Sequence, residues 1–267
     1  MAQNAANLRL EDLEIKPYMI AKLKMAGIES IFDLAISIPH QLVDISDGML
    51  TGTDEHVVLE LVTKAKKALV DSGLLFKDFC TAQDILDRRK NLLRCTTGSA
   101  KLDSFLKGGI ETQAITEIAG EFGSGKSQIC YTLCVTANTP LDRKGLGGNV
   151  IFIDTENTFR SERIFQIAEH RGVSPEEILR RIYVCKIYNT SHLEMIIQDL
   201  GKSIEEYKAK LVMVDSIIAL HRAEFTGRGT LAERQQRLNI MLHKLSRLAE
   251  VHNIAVVITN CCNYTDR

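Results

Sequence analysis

Eight residues near the middle of the chain, GEFGSGKS from Gly120 to Ser127, have the spacing G-x-x-x-x-G-K-S. A glycine-rich loop of this type, placed between a strand and a helix, holds phosphate oxygens with its backbone N–H groups. We expect the Lys126 ammonium to reach the outer phosphates of a nucleotide and the Ser127 hydroxyl to coordinate Mg²⁺. The motif therefore predicts ATP and Mg²⁺ as cofactors.

A second candidate for metal binding is Asp215, which follows the four apolar residues LVMV at 211–214. An acid at the carboxyl end of a buried strand, in this order after a P-loop, commonly holds Mg²⁺ through water. Capping of the following helix is the alternative role for this side chain. We interpret Ser127 and Asp215 together as the metal-binding pair.

Two further carboxylates, Asp154 and Glu156, lie in the segment IDTENTFR, at or just past the end of another apolar strand. The carboxyl ends of parallel strands face one crevice of a sheet, so both side chains would lie near the P-loop. Either carboxylate could orient or deprotonate an attacking water. The spacing of the residues does not separate these two candidates.

The elements that must position these residues alternate between strands and helices from about Thr97 onward. This order predicts an α/β domain with a mostly parallel sheet covered by helices. The expected strands are residues 113–120, 149–156, 181–188, 210–217 and 253–260, and the expected helices are residues 127–138, 161–172, 174–181, 192–207 and 230–252.

The N-terminal part of the chain has a different pattern. Residues 1–75 carry apolar side chains at helical spacing and predict a small all-α domain, with a break at Gly27. The segment from Pro17 to Ile28, PYMIAKLKMAGI, resembles helix-hairpin-helix modules, which present backbone N–H groups to a DNA phosphate. Protein contact is the alternative function of these helices. A charged connector at 76–95 would join them to an ATPase core at 96–267.

The composition is that of a soluble globular protein, with 45% hydrophobic and 25% charged residues among 267. A net charge of −1 provides no global attraction for nucleic acid, so DNA binding would require local basic loops or backbone amides. The apolar runs are strand-sized, and the first residues form no secretion signal. We therefore expect a cytoplasmic protein with no membrane partner, whose seven scattered cysteines are reduced thiols.

Four segments together resemble the RecA/RadA recombinase family, and its archaeal branch most closely: GEFGSGKSQ, FIDTENTFRSERI, LVMVDSI and HRAEFTGRGTLAERQQRL. The likeness extends from about residue 8 to residue 260, and the last segment is the most specific of the four. The resemblance implies a RecA-like P-loop ATPase core preceded by a helix-hairpin-helix domain. It also implies a DNA-dependent ATPase that forms filaments on single-stranded DNA and exchanges strands, and therefore a protein associated with the nucleoid.

The resemblance implies roles for individual residues of the nucleotide site. Glu156 would activate the attacking water, with Lys126 as the second catalytic residue, and the Arg160 side chain would lie against the adenine. The residues that would bind the nucleotide are Gly120, Glu121, Phe122, Gly123, Ser124, Gly125, Lys126, Ser127, Gln128 and Arg160.

The same resemblance makes residues 222–229 the first DNA-facing loop, with Arg222 and Arg228 on phosphates and Gly227 and Gly229 beside them. A loop rich in Arg and Gly and without regular structure can wrap a single strand and pair with its backbone charges. Without the resemblance, these arginines would be interpreted as solvated surface side chains.

An F-x-x-A segment lies in the connector, with Phe79 and Ala82 as its two apolar members. In the family it inserts into a neighbouring subunit, so we expect self-assembly into a helical filament or ring. The alternative is that Phe79 packs on its own domain. The expected partners are thus single- and double-stranded DNA, further copies of this chain and recombination mediators.

The chain departs from the family after Thr259 and Asn260, where Cys261 occupies the position of a Gln that senses the outer phosphate. A thiol cannot replace an amide that both donates and accepts strong hydrogen bonds, so we expect altered coupling between ATP and DNA. The segment CCNYTDR follows a core strand directly and lacks the family's second DNA loop. From this we expect a fragment or a shortened C-terminus.

Two other functions compete with the recombinase interpretation. One is a shortened paralogue or fragment that binds ATP and DNA, or a recombinase partner, without strand exchange. The other is a P-loop kinase for a small molecule, which would need a lid and an acceptor pocket that no segment indicates. The F-x-x-A segment and the Arg-rich loop also have no role in such a kinase.

Overall fold

The structure is a computed structural model that describes residues 9–37, 39–44, 55–73, 75, 79–90 and 92–262. The chain divides into two compact units, Met1–Arg88 and Arg89–Arg267. The division lies inside the segment 76–95 that the sequence assigns to a connector. Within the described ranges, no helix has the length and apolar character needed to cross a bilayer.

The first unit is helical in its described ranges. Pro17 begins the first helix, where its fixed φ suits the helical turn. The predicted break at Gly27 is confirmed, since this residue has a φ of +79° that favours glycine. A capping box then starts the next helix, because the Ser30 hydroxyl accepts the Asp33 N–H at 3.0 Å and the Asp33 carboxylate accepts the Ser30 N–H at 3.2 Å. The helices are α1 (Pro17–Met25), α2 (Ile31–Ile36), α3 (Pro39–Asp44), α4 (Glu55–Asp71) and α5 (Ala82–Arg89).

The second unit alternates strands and helices, as the sequence predicts. A short antiparallel pair, β1 (Arg94–Cys95) and β2 (Ile110–Glu111), flanks α6 (Ala100–Phe105). The remaining strands are β3 (Ala114–Gly120), β4 (Asn149–Asp154), β5 (Ile182–Lys186), β6 (Ala209–Asp215) and β7 (Ala255–Cys261). The remaining helices are α7 (Lys126–Asn138), α8 (Ser161–His170), α9 (Pro175–Arg180), α10 (Thr190–Glu206), α11 (Ala219–Glu224) and α12 (Leu231–Val251).

The five longer strands form one sheet in the order β3-β7-β6-β4-β5. Every neighbouring pair in it is parallel. All carboxyl ends therefore lie at one edge of the sheet. The register places Gly120 beside Cys261 and Asp154 beside Asp215 at that edge. This arrangement brings the predicted motifs together although they are distant in sequence.

The core of the second unit lies on both faces of the sheet. On one face, α7, α8 and α9 pack against strand residues such as Phe152, Met213 and Val257. Successive side chains of a strand alternate between faces, so the neighbouring apolar residues point to the opposite face. There α10 contacts β6 and α12 contacts β7. The predicted α/β class, with helices covering a parallel sheet, is confirmed.

Candidate functional site

The P-loop lies between β3 and α7, the strand-to-helix context that a phosphate-binding loop requires. Gly123 and Gly125 have φ values of +78° and +91°, which side-chain-bearing residues rarely adopt. Apart from the glycine itself and the two residues adjoining it, no described residue has an atom within 4 Å of the position that a Cβ would occupy at either glycine. The loop is thus open to an incoming phosphate, and Glu121, Phe122 and Ser124 are exposed on it.

The Lys126 side chain folds back over this loop. Its ammonium donates hydrogen bonds to the carbonyl oxygens of Gly120 at 3.0 Å and Glu121 at 2.8 Å. A phosphate is a charged acceptor, and hydrogen bonds between charged groups are stronger than bonds to neutral carbonyls. The ammonium is therefore in place to exchange these two carbonyls for phosphate oxygens.

The predicted metal-binding pair is assembled at the same edge. The Ser127 hydroxyl donates to Oδ2 of Asp215 at 2.8 Å. Asp215 is buried, and its other oxygen, Oδ1, accepts a hydrogen bond from the Thr259 hydroxyl at 2.5 Å. Hydroxyl and carboxylate oxygens are the hard ligands that Mg²⁺ prefers. The chemistry of this donor set and the open P-loop fit a Mg²⁺–nucleotide.

The alternative role of Asp215 as a helix cap is wrong. The next helix, α11, begins at Ala219 and has Ile218 as its N-cap residue. Sequence reasoning also missed Thr259, which follows the last apolar residue of β7. The predicted parallel sheet did contain a signal for Thr259. A polar residue at the carboxyl end of any of its strands lies at the same edge of the sheet as the P-loop.

The structure separates the two carboxylates that spacing left equivalent. Asp154 is buried, and its oxygens accept the backbone N–H groups of Glu156, Thr158 and Phe159 at 3.3, 3.1 and 3.0 Å. Both carboxylate oxygens of Asp154 therefore hold the loop that follows β4. Glu156 stands exposed on that loop.

The surroundings of Glu156 suit a general base. Partial desolvation raises the pKa of this carboxyl, the negative charges of Asp215 and Asp154 raise it further, and Lys126 opposes them. A base is most effective when its pKa approaches the working pH. Glu156 therefore has both the exposure and the direction of pKa shift that water activation needs, whereas Asp154 is a loop anchor.

Aromatic contacts fix the loop that carries Glu156. The Tyr131 hydroxyl on α7 donates to the Thr158 carbonyl at 2.7 Å. The Phe159 ring meets the Phe152 ring edge-on, with centroids 5.0 Å apart. These contacts tie the loop to the P-loop helix and to β4. The loop that carries Glu156 is therefore packed against both elements.

The predicted adenine contact, Arg160, is exposed and directly precedes α8. Its guanidinium donates to the carbonyls of Asn157 at 3.3 Å and Phe159 at 2.9 Å. The neighbouring Arg163, which sequence reasoning missed, donates from Nε to the Gln128 side-chain oxygen at 2.8 Å. Gln128 on α7 is thus tied to α8, the helix that begins directly after Arg160.

The predicted DNA-facing loop is partly helical, which corrects the expectation of a segment without regular structure. Arg222 lies within α11, and its guanidinium donates a hydrogen bond to the Cys261 carbonyl at the end of β7. Helix α11 is held in place because the Glu224 carboxylate accepts the Thr190 N–H at the start of α10, at 2.7 Å. Gly227 has a φ of +89°.

The last two residues of this segment belong to a short 3-10 helix from Arg228 to Thr230. It contains Gly229, while the Arg228 side chain lies outside the described part of the structure. Only Phe225 and Thr226 then separate α11 from Gly227. The two predicted arginines are therefore on different elements, and the irregular part is shorter than expected.

The two apolar members of the F-x-x-A segment are exposed. Phe79 has 94% of its surface accessible. Ala82 is the first residue of α5 and is also exposed. A cap fixes the segment between them, since the Thr81 hydroxyl accepts the Asp84 N–H at 3.1 Å. The geometry presents an apolar anchor beside a defined helix start.

The departure at Cys261 lies next to the P-loop. Cys261 is the last residue of β7 and pairs with Gly120 of β3. The following N–H, of Cys262, donates to the Gly120 carbonyl at 3.0 Å. The Cys261 thiol therefore lies beside Gly120, the residue at which β3 ends and the P-loop begins. The five residues after Cys262 lie outside the described part of the chain.

The motifs that meet at this edge are those of one known family. The Rad51 family model matches residues 88–265. The chain is also 44% identical over 258 residues to "DNA repair and recombination protein RadA" of Cenarchaeum symbiosum (strain A). That match covers 96% of this chain, which spans 64% of the length of the relative. With the P-loop, the Ser127–Asp215 pair and Glu156 gathered at one sheet edge, the chain belongs to the Rad51 family of RecA-like proteins.

Proposed function

We propose that this chain is a DNA-dependent ATPase that acts in DNA recombination and repair. In this proposal it binds single-stranded DNA, forms nucleoprotein filaments, and promotes homologous pairing and strand exchange. The observation that carries the proposal is the convergence of Lys126, Ser127, Asp215 and Glu156 at one edge of a RecA-like sheet. The similarity to a RadA protein supports it.

The nucleotide would be ATP with Mg²⁺. The backbone of the P-loop, Lys126 and Gln128 would hold the phosphates, Ser127 and Asp215 would hold the metal, and Arg160 would lie against the base. Bound ATP supplies the phosphoanhydride bond whose hydrolysis drives changes in the filament. The α7 N-terminus adds favourable backbone N–H groups, since the first N–H groups of a helix have no partner within the helix.

Glu156 would position the attacking water and accept its proton on a carboxylate oxygen. Its raised pKa supports this role, because proton transfer to a stronger base is more favourable. Asp154 would contribute indirectly by holding the loop that carries Glu156. Lys126 would contribute positive charge where phosphate charge develops.

DNA would bind outside the nucleotide site. The segment 222–229 would meet the backbone of a single strand through Arg222 and Arg228, with Gly227 and Gly229 allowing close approach. The helical unit with the turn at Gly27 would contact duplex DNA through backbone N–H groups. Because the net charge is −1, binding would depend on these local features.

Assembly would use the F-x-x-A segment, with Phe79 and Ala82 inserted into a neighbouring copy in a filament or ring. The exposure of Phe79 supports this, since exposed aromatic anchors are common at the centres of interfaces. Recombination mediators would be further partners, and the protein would act on DNA in the cytoplasm, at the nucleoid.

A second candidate function rests on Cys261, which pairs with Gly120 beside the P-loop. If the amide at this position is needed for coupling, the chain would bind ATP and DNA, or a recombinase partner, without exchanging strands. The two functions differ in one measurable property, the response of ATP turnover to DNA.

The test is ATP hydrolysis by this 267-residue chain, with and without single-stranded DNA, beside Glu156→Gln. Turnover that rises with DNA and is lost in the variant supports the recombinase function. Bound ATP with no response to DNA supports the second function. Wild-type turnover in Glu156→Gln contradicts the assignment of Glu156 as the general base.

A further inference from the structure

We propose that Thr259 is a positioning residue, which orients the Asp215 carboxylate and thereby sets the affinity of the site for Mg²⁺. Thr259 belongs to neither the P-loop nor the metal-binding pair that the sequence predicts. The inference rests on the proposed function, because it requires that a Mg²⁺–nucleotide binds at Ser127 and Asp215.

The two oxygens of the Asp215 carboxylate have partners on different elements. Oδ1 accepts the Thr259 hydroxyl of β7 at 2.5 Å. Oδ2 accepts the Ser127 hydroxyl at the start of α7 at 2.8 Å. Thr259 thus binds one oxygen of the carboxylate and leaves the other, Oδ2, to Ser127.

Thr259 also holds the main chain that follows Asp215. Its carbonyl accepts the Ile217 N–H at 3.1 Å. The main-chain pairing of β6 with β7 ends with Val214 beside Ile258, so Asp215 and Thr259 are the next residues of the two strands. The side-chain bond therefore continues the alignment of these strands into the candidate metal site.

Rotation of the carboxylate is the motion that this contact prevents. The terminal torsion of an Asp side chain is broad, so sterics alone do not fix which oxygen faces Ser127. Thr259 is fully buried and Asp215 nearly so, and an unpaired acceptor in such a place is costly. Without the Thr259 hydroxyl, we expect the carboxylate to rotate until Oδ1 accepts a hydrogen bond from another donor, so that its present orientation is lost.

The test replaces the hydroxyl without changing the shape, using Thr259→Val. Binding of a fluorescent ATP analogue would be measured across a Mg²⁺ titration and again in EDTA. Loss of a partner that orients a metal ligand typically weakens metal affinity about 10- to 100-fold. We expect the Mg²⁺ concentration at half-saturation to rise at least about tenfold, with little change in metal-free nucleotide binding, and Thr259→Ser to restore the wild-type value.

Thr136→Val is the matched control. Thr136 is also buried, lies on α7, the helix that carries Ser127, and donates its hydroxyl to the Thr96 carbonyl at 2.8 Å. The same loss of a buried hydroxyl there should leave the Mg²⁺ midpoint unchanged. A rise in this control as large as in Thr259→Val would assign the effect to general loosening and overturn the proposal.

Two further outcomes are decisive. A wild-type Mg²⁺ midpoint in folded Thr259→Val overturns the role of Thr259 while leaving the nucleotide site intact. If this variant does not fold, Thr259→Cys replaces it, since a thiol on the same one-carbon side chain as the serine hydroxyl is only a weak donor. Equal Mg²⁺ midpoints for the Cys and Ser variants then overturn the proposal. If the wild-type chain shows no Mg²⁺-dependent nucleotide binding, the proposed function fails as well.

Discussion

The Ser127 hydroxyl donates to the Asp215 carboxylate at 2.8 Å across a sequence separation of 88 residues. The strand that leads into the P-loop, β3, and the strand that ends at Asp215, β6, are not neighbours, because β7 lies between them in the sheet. The first turn of α7 therefore has to pass over the end of β7 to reach Asp215. This path explains why Thr259, the residue of β7 at that point, contacts the same carboxylate.

Removal of the Lys126 ammonium should weaken nucleotide binding. Hydrogen bonds to charged groups contribute about 1.5–3 kcal/mol, so Lys126→Ala should raise the Kd for ATP about 10- to 100-fold. Equilibrium titration with a fluorescent nucleotide measures this. Lys101→Ala on α6 is the control, since it removes an exposed lysine outside the P-loop. Equal affinities for the two variants would contradict the P-loop assignment.

Glu156→Gln should keep ATP binding and lower kcat about 100-fold or more, because general bases contribute about that much. The base must be ionised, and its folded pKa is raised above the ordinary 4.5. Wild-type kcat should therefore fall as the pH falls through this raised pKa, and this acid limb should be absent from the variant. A kcat–pH profile measures both effects. Glu169→Gln, an exposed carboxylate on α8, should retain the wild-type profile.

Asp154→Asn should act through the loop and lower stability as well as turnover. An amide nitrogen cannot accept the backbone N–H groups that the two Asp154 oxygens now hold. We expect a loss of about 1–3 kcal/mol in the free energy of unfolding. Denaturant titration beside Glu156→Gln distinguishes the two carboxylates. A variant that loses turnover at wild-type stability would make Asp154, too, a candidate for the chemistry.

Phe79→Ala should shift the chain from oligomers to monomers. Central aromatic anchors of interfaces contribute about 2 kcal/mol or more, which corresponds to roughly 30-fold weaker association. Light scattering after size-exclusion chromatography measures the mass. Phe105→Ala is the control, because Phe105 is also largely exposed but lies outside the F-x-x-A segment. Unchanged oligomers in Phe79→Ala would show that another surface dominates assembly.

Arg222→Ala combined with Arg228→Ala should weaken binding to single-stranded DNA and its salt dependence. Each phosphate contact to a single strand contributes about 0.7 to the slope of log K against log salt, so the slope should fall by about 1.4. Fluorescence anisotropy at several salt concentrations measures it. The control is Arg143→Ala combined with Arg180→Ala, which removes the same two positive charges from exposed positions outside the segment 222–229. The same slope in both double variants would remove the segment 222–229 from the DNA contact.

Much of the fold could be predicted because its signals are local. The alternation of apolar strands and amphipathic helices follows from side-chain periodicity, and each of the five predicted strands is present. The helical segment at Arg222 was not predicted, because a few residues rich in Arg and Gly have no clear periodicity. There α11 is stabilised by long-range contacts, such as the Glu224 bond to Thr190.

The sequence by itself determined the P-loop, the strand that ends at Asp215 and the pair of candidate carboxylates at the end of β4, since each depends on neighbouring residues. The spacing of Asp154 and Glu156 left their roles open, and the family resemblance assigned water activation to Glu156. Only the tertiary structure showed that backbone N–H groups fold back onto Asp154 and not onto Glu156. It also placed Thr259 on Asp215. The order of strands in a sheet is set by packing between distant segments, so no local pattern reveals that β7 lies between β3 and β6.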